Sequence, residues 1–441
     1  MSFHLHSPWL EGKVTSWLQS TNKVFFSLFC IFAAFCTYSC MYAFRKPFAV
    51  ATFENESFWG VDYKILLITA QVMGYTLSKF IGIKVISEMK NESRSLFILL
   101  LIISAALSLL GFALAPAPWG IAFLFLNGLP LGMVWGLVFS YLEGRQTTEV
   151  LGAGLSVSFI FSSGLVKSIG MFVMINWGVS EMWMPVVAGS LFLVPLFGFV
   201  WMLDRIPGPS QKDIELRNKR GPMSQSQKKE FISEFGAGMF LLILVYILLT
   251  TFRDFRDNFS TEIWDSLGYG NNAEIFTLTE IPVSIAVLVL LSLMIVIKQN
   301  FMALSANYYI IMAGFVLSGI STLMFESQLI SAPVWMALVG FGLYLGYVPF
   351  NSILFDRLIA TFHISGNVGF LIYLADSFGY LGSVAILFYK NFGFANVTWL
   401  DFFTQSIYIV SIAGAALMGI CLIYFRRKYY FSSAKQEATF N

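Results

Sequence analysis

Long apolar runs separated by short polar breaks make up almost the whole chain. A bilayer span needs roughly twenty mostly apolar residues, because lipid offers backbone groups no partner outside their own helix. Twelve runs meet that need, and the predicted spans are 24–48, 64–86, 96–115, 118–142, 151–176, 182–203, 235–256, 274–298, 301–324, 329–355, 364–388 and 401–425. The first run, Val24 to Phe44, exceeds a signal-peptide core and has no small-residue cleavage site, so it reads as a span. Ahead of it, Leu10, Val14, Trp17 and Leu18 fall at helical spacing among Glu11, Lys13 and Gln19. That pattern suits a short interfacial helix.

One polar stretch is long, Asp204 to Lys229, and it divides the spans six and six. The expected organisation is an N-terminal segment 1–23, a six-helix bundle 24–203, a central loop 204–232, a second six-helix bundle 233–428 and a tail 429–441. Lys84, Lys90, Arg94, Arg145, the central loop, Lys298, Arg357 and Arg426-Arg427-Lys428 share one side, while the opposite loops are short or acidic. The excess of Lys and Arg predicts that both termini and the central loop are cytoplasmic. An integral protein of the bacterial inner membrane is the expected setting. The halves also echo each other: Gly128-Leu129-Pro130-Leu131-Gly132 matches Gly342-Leu343-Tyr344-Leu345-Gly346, Gly154, Ser162 and Gly164 recur as Gly369, Ser377 and Gly379, and Phe44-Arg45 corresponds to Phe252-Arg253. The fold class expected is therefore an all-α membrane protein of two pseudo-symmetric six-helix bundles, with a solute site at the repeat interface.

Composition narrows the function. The 441 residues are 57% hydrophobic and only 12% charged, against about a quarter charged in soluble domains. The net charge of +2 is spread over loops, which excludes a nucleic-acid surface. Cys30, Cys36, Cys40 and Cys421 lie inside apolar runs without metal or disulfide spacing. His4, His6 and His363 fall in tails or loops, and no phosphate-binding glycine loop is present. Neither a catalytic set nor a cofactor or metal site is expected, so the chain does not read as an enzyme. Its expected partners are the lipid bilayer and a small solute, with a monomer as the simplest form.

Ionisable residues inside spans carry the sharpest signal, because each costs about 2.5–3.5 kcal/mol at a helix centre unless it faces a cavity or a partner. The candidates are Arg45, Lys46, Lys79, Lys167, Arg253, Asp254, Arg256, Asp257, Glu280 and Asp376. The repeat makes Arg45 and Arg253 equivalents, so the pair either faces across a central cavity, gripping an anion with two guanidinium forks, or snorkels to the membrane surface. Arg253 and Asp257, four apart, are placed to pair along one helix. Glu280 and Asp376 either take up protons or form helix–helix salt bridges, with Lys79 and Lys167 as the partners at hand.

Tyr42-Ala43-Phe44-Arg45-Lys46-Pro47-Phe48-Ala49 and Gly74-Tyr75-Thr76-Leu77-Ser78-Lys79-Phe80-Ile81 resemble the first two spans of the organophosphate:phosphate antiporters of the major facilitator superfamily. The likeness continues at Gly128 to Trp135, Arg253 with Ser260, Glu280, and Phe378-Gly379-Tyr380-Leu381-Gly382-Ser383-Val384. It implies substrate-binding arginines at Arg45 and Arg253, with Tyr42, Lys46 and Lys79 beside them, and a carboxylate at Glu280. The fifth-span histidine of those antiporters falls near Ser163. Met41 to Phe48, Asn127 to Gly144, Arg253 to Phe259 and Gly366 to Gly382 resemble more closely an uncharacterised bacterial membrane family, a domain of unknown function. Together these imply a secondary carrier of a small organic anion, phosphorylated or not, with a cavity lined by the first, fourth, seventh and tenth spans. A proton-coupled carrier using Glu280 or Asp376, and a non-transporting sensor of the same fold, are the rivals.

Overall fold

The computed structural model describes residues 8–54, 56–88, 93–211, 213, 225–362, 368–394 and 396–440. The spans in chain order are Lys23–Ala43, Tyr63–Glu88, Arg94–Leu114, the fourth in two pieces (Gly120–Leu131 and Val134–Phe139), Thr148–Trp177, the sixth in two pieces (Met184–Ser190 and Leu193–Asp204), Gln225–Asn258, Ile275–Ile295, Asn300–Glu326, Ala332–Ser352, Val368–Gly393 and Trp399–Phe440. Among the described residues ten of these are long and apolar enough to cross a membrane, and the bent sixth makes an eleventh. The remaining span, eleventh in order, adjoins residues 363–367, which lie outside the described residues along with His4, His6 and His363. Val194, Ile409 and Ile412 are among the most exposed side chains, at 82%, 69% and 74%. Large apolar groups turned outward on this scale suit hydrocarbon rather than water.

Prolines shape the breaks. The sixth span bends by 46° between its pieces, just where the ring of Pro195 opposes a helical carbonyl four residues back. The first span stops at Ala43, short of the expected 48, and a 3-10 turn at Pro47–Val50 follows. Pro47 lacks the N–H that a continuing helix would need, so Arg45 and Lys46 sit on the unwinding turn.

The two halves pack alike. First against fifth span matches seventh against eleventh, first against sixth matches seventh against twelfth, and the second, third and fourth spans repeat as the eighth, ninth and tenth. Across the seam, the fifth span lies along the eighth and the second along the eleventh. Small residues allow the closest approaches. A Cβ at Gly128 would collide with the Gln71 carbonyl of the second span, and one at Gly342 with the Gly314 carbonyl of the ninth. The matched glycines thus serve close packing in both halves, though against different neighbours.

A helix forms at Pro8–Ser20, where the interfacial one is expected. It buries Leu18, sets Trp17 edge-on to Phe29, and donates from Thr15 Oγ1 to the Arg205 carbonyl at 3.1 Å. At the other end of the chain the last span continues as helix through the tail, for 42 residues in all.

Candidate functional site at the seam

Unwinding at Pro47 leaves the carbonyls of Phe44 and Arg45 without helical donors, and two buried amides supply them. Asn127 Nδ2 donates to Phe44 O at 3.0 Å, Gln71 Nε2 donates to Arg45 O at 3.0 Å, and Gln71 Nε2 also reaches Asn127 Oδ1 at 2.7 Å. The backbone beneath Arg45 is therefore pinned by the second and fourth spans. Its guanidinium lies over the Tyr75 ring, 3.9 Å from the centroid, and 6.0 Å from that of Tyr42. Arg45 is 7% exposed, no carboxylate pairs with it among the described residues, and its Nε has no hydrogen-bond partner. Aromatic faces hold this buried cation.

Arg253 enters from the seventh span and stacks over Tyr347, 3.6 Å from its centroid. It pairs with the adjacent Asp254, not with Asp257 as the four-residue spacing suggested. Asp254 also accepts from Ser383 of the eleventh span at 2.9 Å. Arg45 and Arg253 line one small cavity of about 20 Å³, room for about a single water. Tyr38, Tyr42, Tyr75, Lys79, Trp135, Phe159, Tyr347, Asn351, Asp376 and Tyr380 complete its wall. The expected spans one, four, seven and ten contribute, joined by the second, fifth and eleventh. Both arginines are buried inside the protein rather than extended toward a membrane surface.

Lys79 ends on Asp376, across the seam from the second span to the eleventh. The other Asp376 oxygen accepts from Tyr246, whose hydroxyl in turn accepts from Asn351 at 3.0 Å. Glu280 lies outside this cavity. It binds Arg256 at 2.7 Å within the second half, while Arg256 also donates to the Met336 carbonyl. Lys46 turns away from the cavity to Asp257 and to Asn258 Oδ1 at 2.8 Å. Lys167 meets the same Asp257 at 2.7 Å, and Ser163, at the position of the antiporters' histidine, donates to it as well.

Further charged ties cross the seam at either end. Lys64, at the start of the second span, binds Glu262, just beyond the seventh. Beside the basic loops, Arg357 binds Glu149 at 3.0 Å and Asn300 at 2.9 Å. Neither pair was singled out from the sequence, since partners some 200 residues apart at span ends look like ordinary surface charges. Tyr75, Tyr347, Gln71 and Asn127 were missed as site residues for a similar reason: aromatic and amide groups in spans are common, and only their convergence is informative.

This arrangement is a major facilitator fold, an integral membrane protein of two six-span halves about a central seam. A D-xylose-proton symporter of solved structure is similar, with a TM-score of 0.58 and 14% identity over 90% of this chain and 97% of that one. The nucleoside transporter NupG is similar too, with a TM-score of 0.60 and 13% identity over 90% of this chain and 98% of that one. No curated protein matches the sequence. The chain belongs to a family of unknown function (DUF5690), whose model matches residues 47–428.

Proposed function

We propose that this protein is a secondary transporter that carries a small organic anion by alternating access, with Arg45 and Arg253 gripping the anionic group. The observation that carries the reading is the Arg45 guanidinium, buried at the seam, stacked on Tyr75 and without a carboxylate partner among the described residues. Such a group is an anion site waiting for charge-assisted hydrogen bonds. Lys79 stands beside it on the cavity wall. Lys46 and Lys167, both on Asp257, are read as the closure on the side opposite the basic loops, and Arg357 with Glu149 as its counterpart beside them. Solute would reach the arginines when one set of ties parts and the halves rock about the site.

Similarity to a sugar symporter and a nucleoside transporter supports carriage of a small solute, and the resemblance to the organophosphate:phosphate antiporters supports an anionic one, phosphate esters included. The basic loops support cytoplasmic termini in a bacterial inner membrane. Purified protein in vesicles, assayed for uptake of radiolabelled small phosphates and carboxylates against neutral sugars and nucleosides, tests the proposal. Uptake of an anion that Arg45→Ala abolishes is the expected result. Uptake of a neutral solute alone would refute the anionic reading, and anion binding without flux would assign the fold to sensing.

A further inference from the structure

We infer that Asp376 sets the charge of the solute, restricting the central site to monoanions. The inference rests on the reading of this cavity as an anion site. Three cations reach the cavity wall, Arg45, Lys79 and Arg253. Asp376 sits on Lys79 and Asp254 on Arg253, so one formal positive charge is left over, that of Arg45.

Asp376 accepts a hydrogen bond on each of its oxygens. Lys79 donates to one oxygen and Tyr246 to the other. The Tyr246 hydroxyl accepts from Asn351, which directs its own proton at the carboxylate. Asn351 is itself held by the Tyr347 carbonyl at 3.1 Å, beneath the ring on which Arg253 stacks. The carboxylate thus lies within the wall that receives the solute, 1% exposed. A monoanion on Arg45 and Arg253 balances the site. A second negative charge would meet Asp376 in a water-poor cavity whose wall, among the described residues, holds no fourth cation to offset it, and like charges at close quarters discriminate strongly there.

The test compares one head group at two charges. Methyl phosphate carries about two negative charges at pH 8, and dimethyl phosphate carries one. Binding of each to purified full-length protein is measured by calorimetry, for the parent, Asp376→Asn, Asp376→Glu and the double variant Asp376→Asn/Lys79→Gln. The parent should prefer dimethyl phosphate. Asp376→Asn removes the carboxylate that neutralises Lys79 and should move the ratio of affinities toward methyl phosphate by roughly ten- to a hundredfold, the scale of one charge-assisted bond. Removing Lys79 as well should restore the monoanion preference, and Asp376→Glu, which keeps the charge, should retain it. The double variant also answers the concern that an unpaired buried lysine disturbs folding. An unchanged ratio in Asp376→Asn, with binding intact in the parent and lost in Arg45→Ala, overturns the inference alone. If neither phosphate binds the parent, the anion reading falls and the inference with it.

Discussion

Lys167 of the fifth span ends 2.7 Å from the carboxylate of Asp257 on the seventh, so a cation of one half is neutralised by the other. Lys46 shares that carboxylate, and Ser163 and Lys167 both donate to the same oxygen. Lys64–Glu262 and Lys79–Asp376 repeat the polarity, with cations on the first half and carboxylates on the second. Arg357–Glu149, beside the basic loops, reverses it. Each tie has its full strength only while the halves are together.

Asp257→Asn should therefore cost stability and loosen the side away from the basic loops. Breaking one partner of a buried pair typically costs about 3–5 kcal/mol, because a charge is left behind. The expected outcome is a lower thermal midpoint, with greater thiol labelling of a cysteine placed at Asn258. Adding Lys167→Met should recover part of the loss. A midpoint and labelling rate equal to the parent's would show that the cluster does not hold this side closed.

Arg45→Ala and Arg253→Ala should each weaken solute binding by roughly ten- to a hundredfold, the worth of one charge-assisted contact. Arg45→Lys should be impaired less than Arg45→Ala, since it retains charge but loses the planar fork and its stacking on Tyr75. Binding by calorimetry, with thermal midpoints measured alongside, separates this from misfolding. Two folded alanine variants that bind like the parent would remove the paired-arginine site.

Glu280→Gln should reduce stability without changing energy coupling, because Glu280 serves Arg256 inside one half. The ratio of pH-gradient-driven uptake to exchange, measured in vesicles, should stay that of the parent while the thermal midpoint falls. Selective loss of gradient-driven uptake would instead make Glu280 the proton carrier.

Gly128→Val should disturb the site from a distance. Any side chain there meets the Gln71 carbonyl, and Gln71 holds the carbonyl of Arg45. Overpacking of this kind costs about 1–3 kcal/mol, so a lower midpoint and weaker solute binding should appear together. Full binding in a destabilised protein would show that the second span can shift without moving Arg45.

Cysteines at Ser226 and Asn271 should label from opposite faces of the membrane, with Ser226 on the cytoplasmic one. The charge pattern predicts that the central polar stretch and the basic loops share a side, whereas Asn271 lies between the seventh and eighth spans. Labelling of both from one face in intact cells would contradict the six-and-six arrangement.

Much of this was legible without coordinates. Arg45 and Arg253 stood out because an internal repeat and buried charge coincide at them, and both line the cavity. Asp376 with Lys79 was among the salt bridges expected. The pairing of Arg253 went elsewhere because helical spacing brings Asp257 near it but does not decide which neighbour each side chain faces. Asp257 has two lysines from other spans, and Arg253 has Asp254 and the Tyr347 ring.

Hydrophobic run length by itself determined that this is a polytopic helical membrane protein in two halves, because a backbone in lipid must satisfy its hydrogen bonds within each span. Charge counts along the loops set the expectation of which loops face the cytoplasm. Only the tertiary structure decided which carboxylate meets which lysine, which tyrosines carry the arginines, and that Arg45 has no acid partner among the described residues. Those contacts join residues up to 297 positions apart, and burial makes their energies depend on distances of a few ångströms. Spacing along one helix carries no information about such distances between helices.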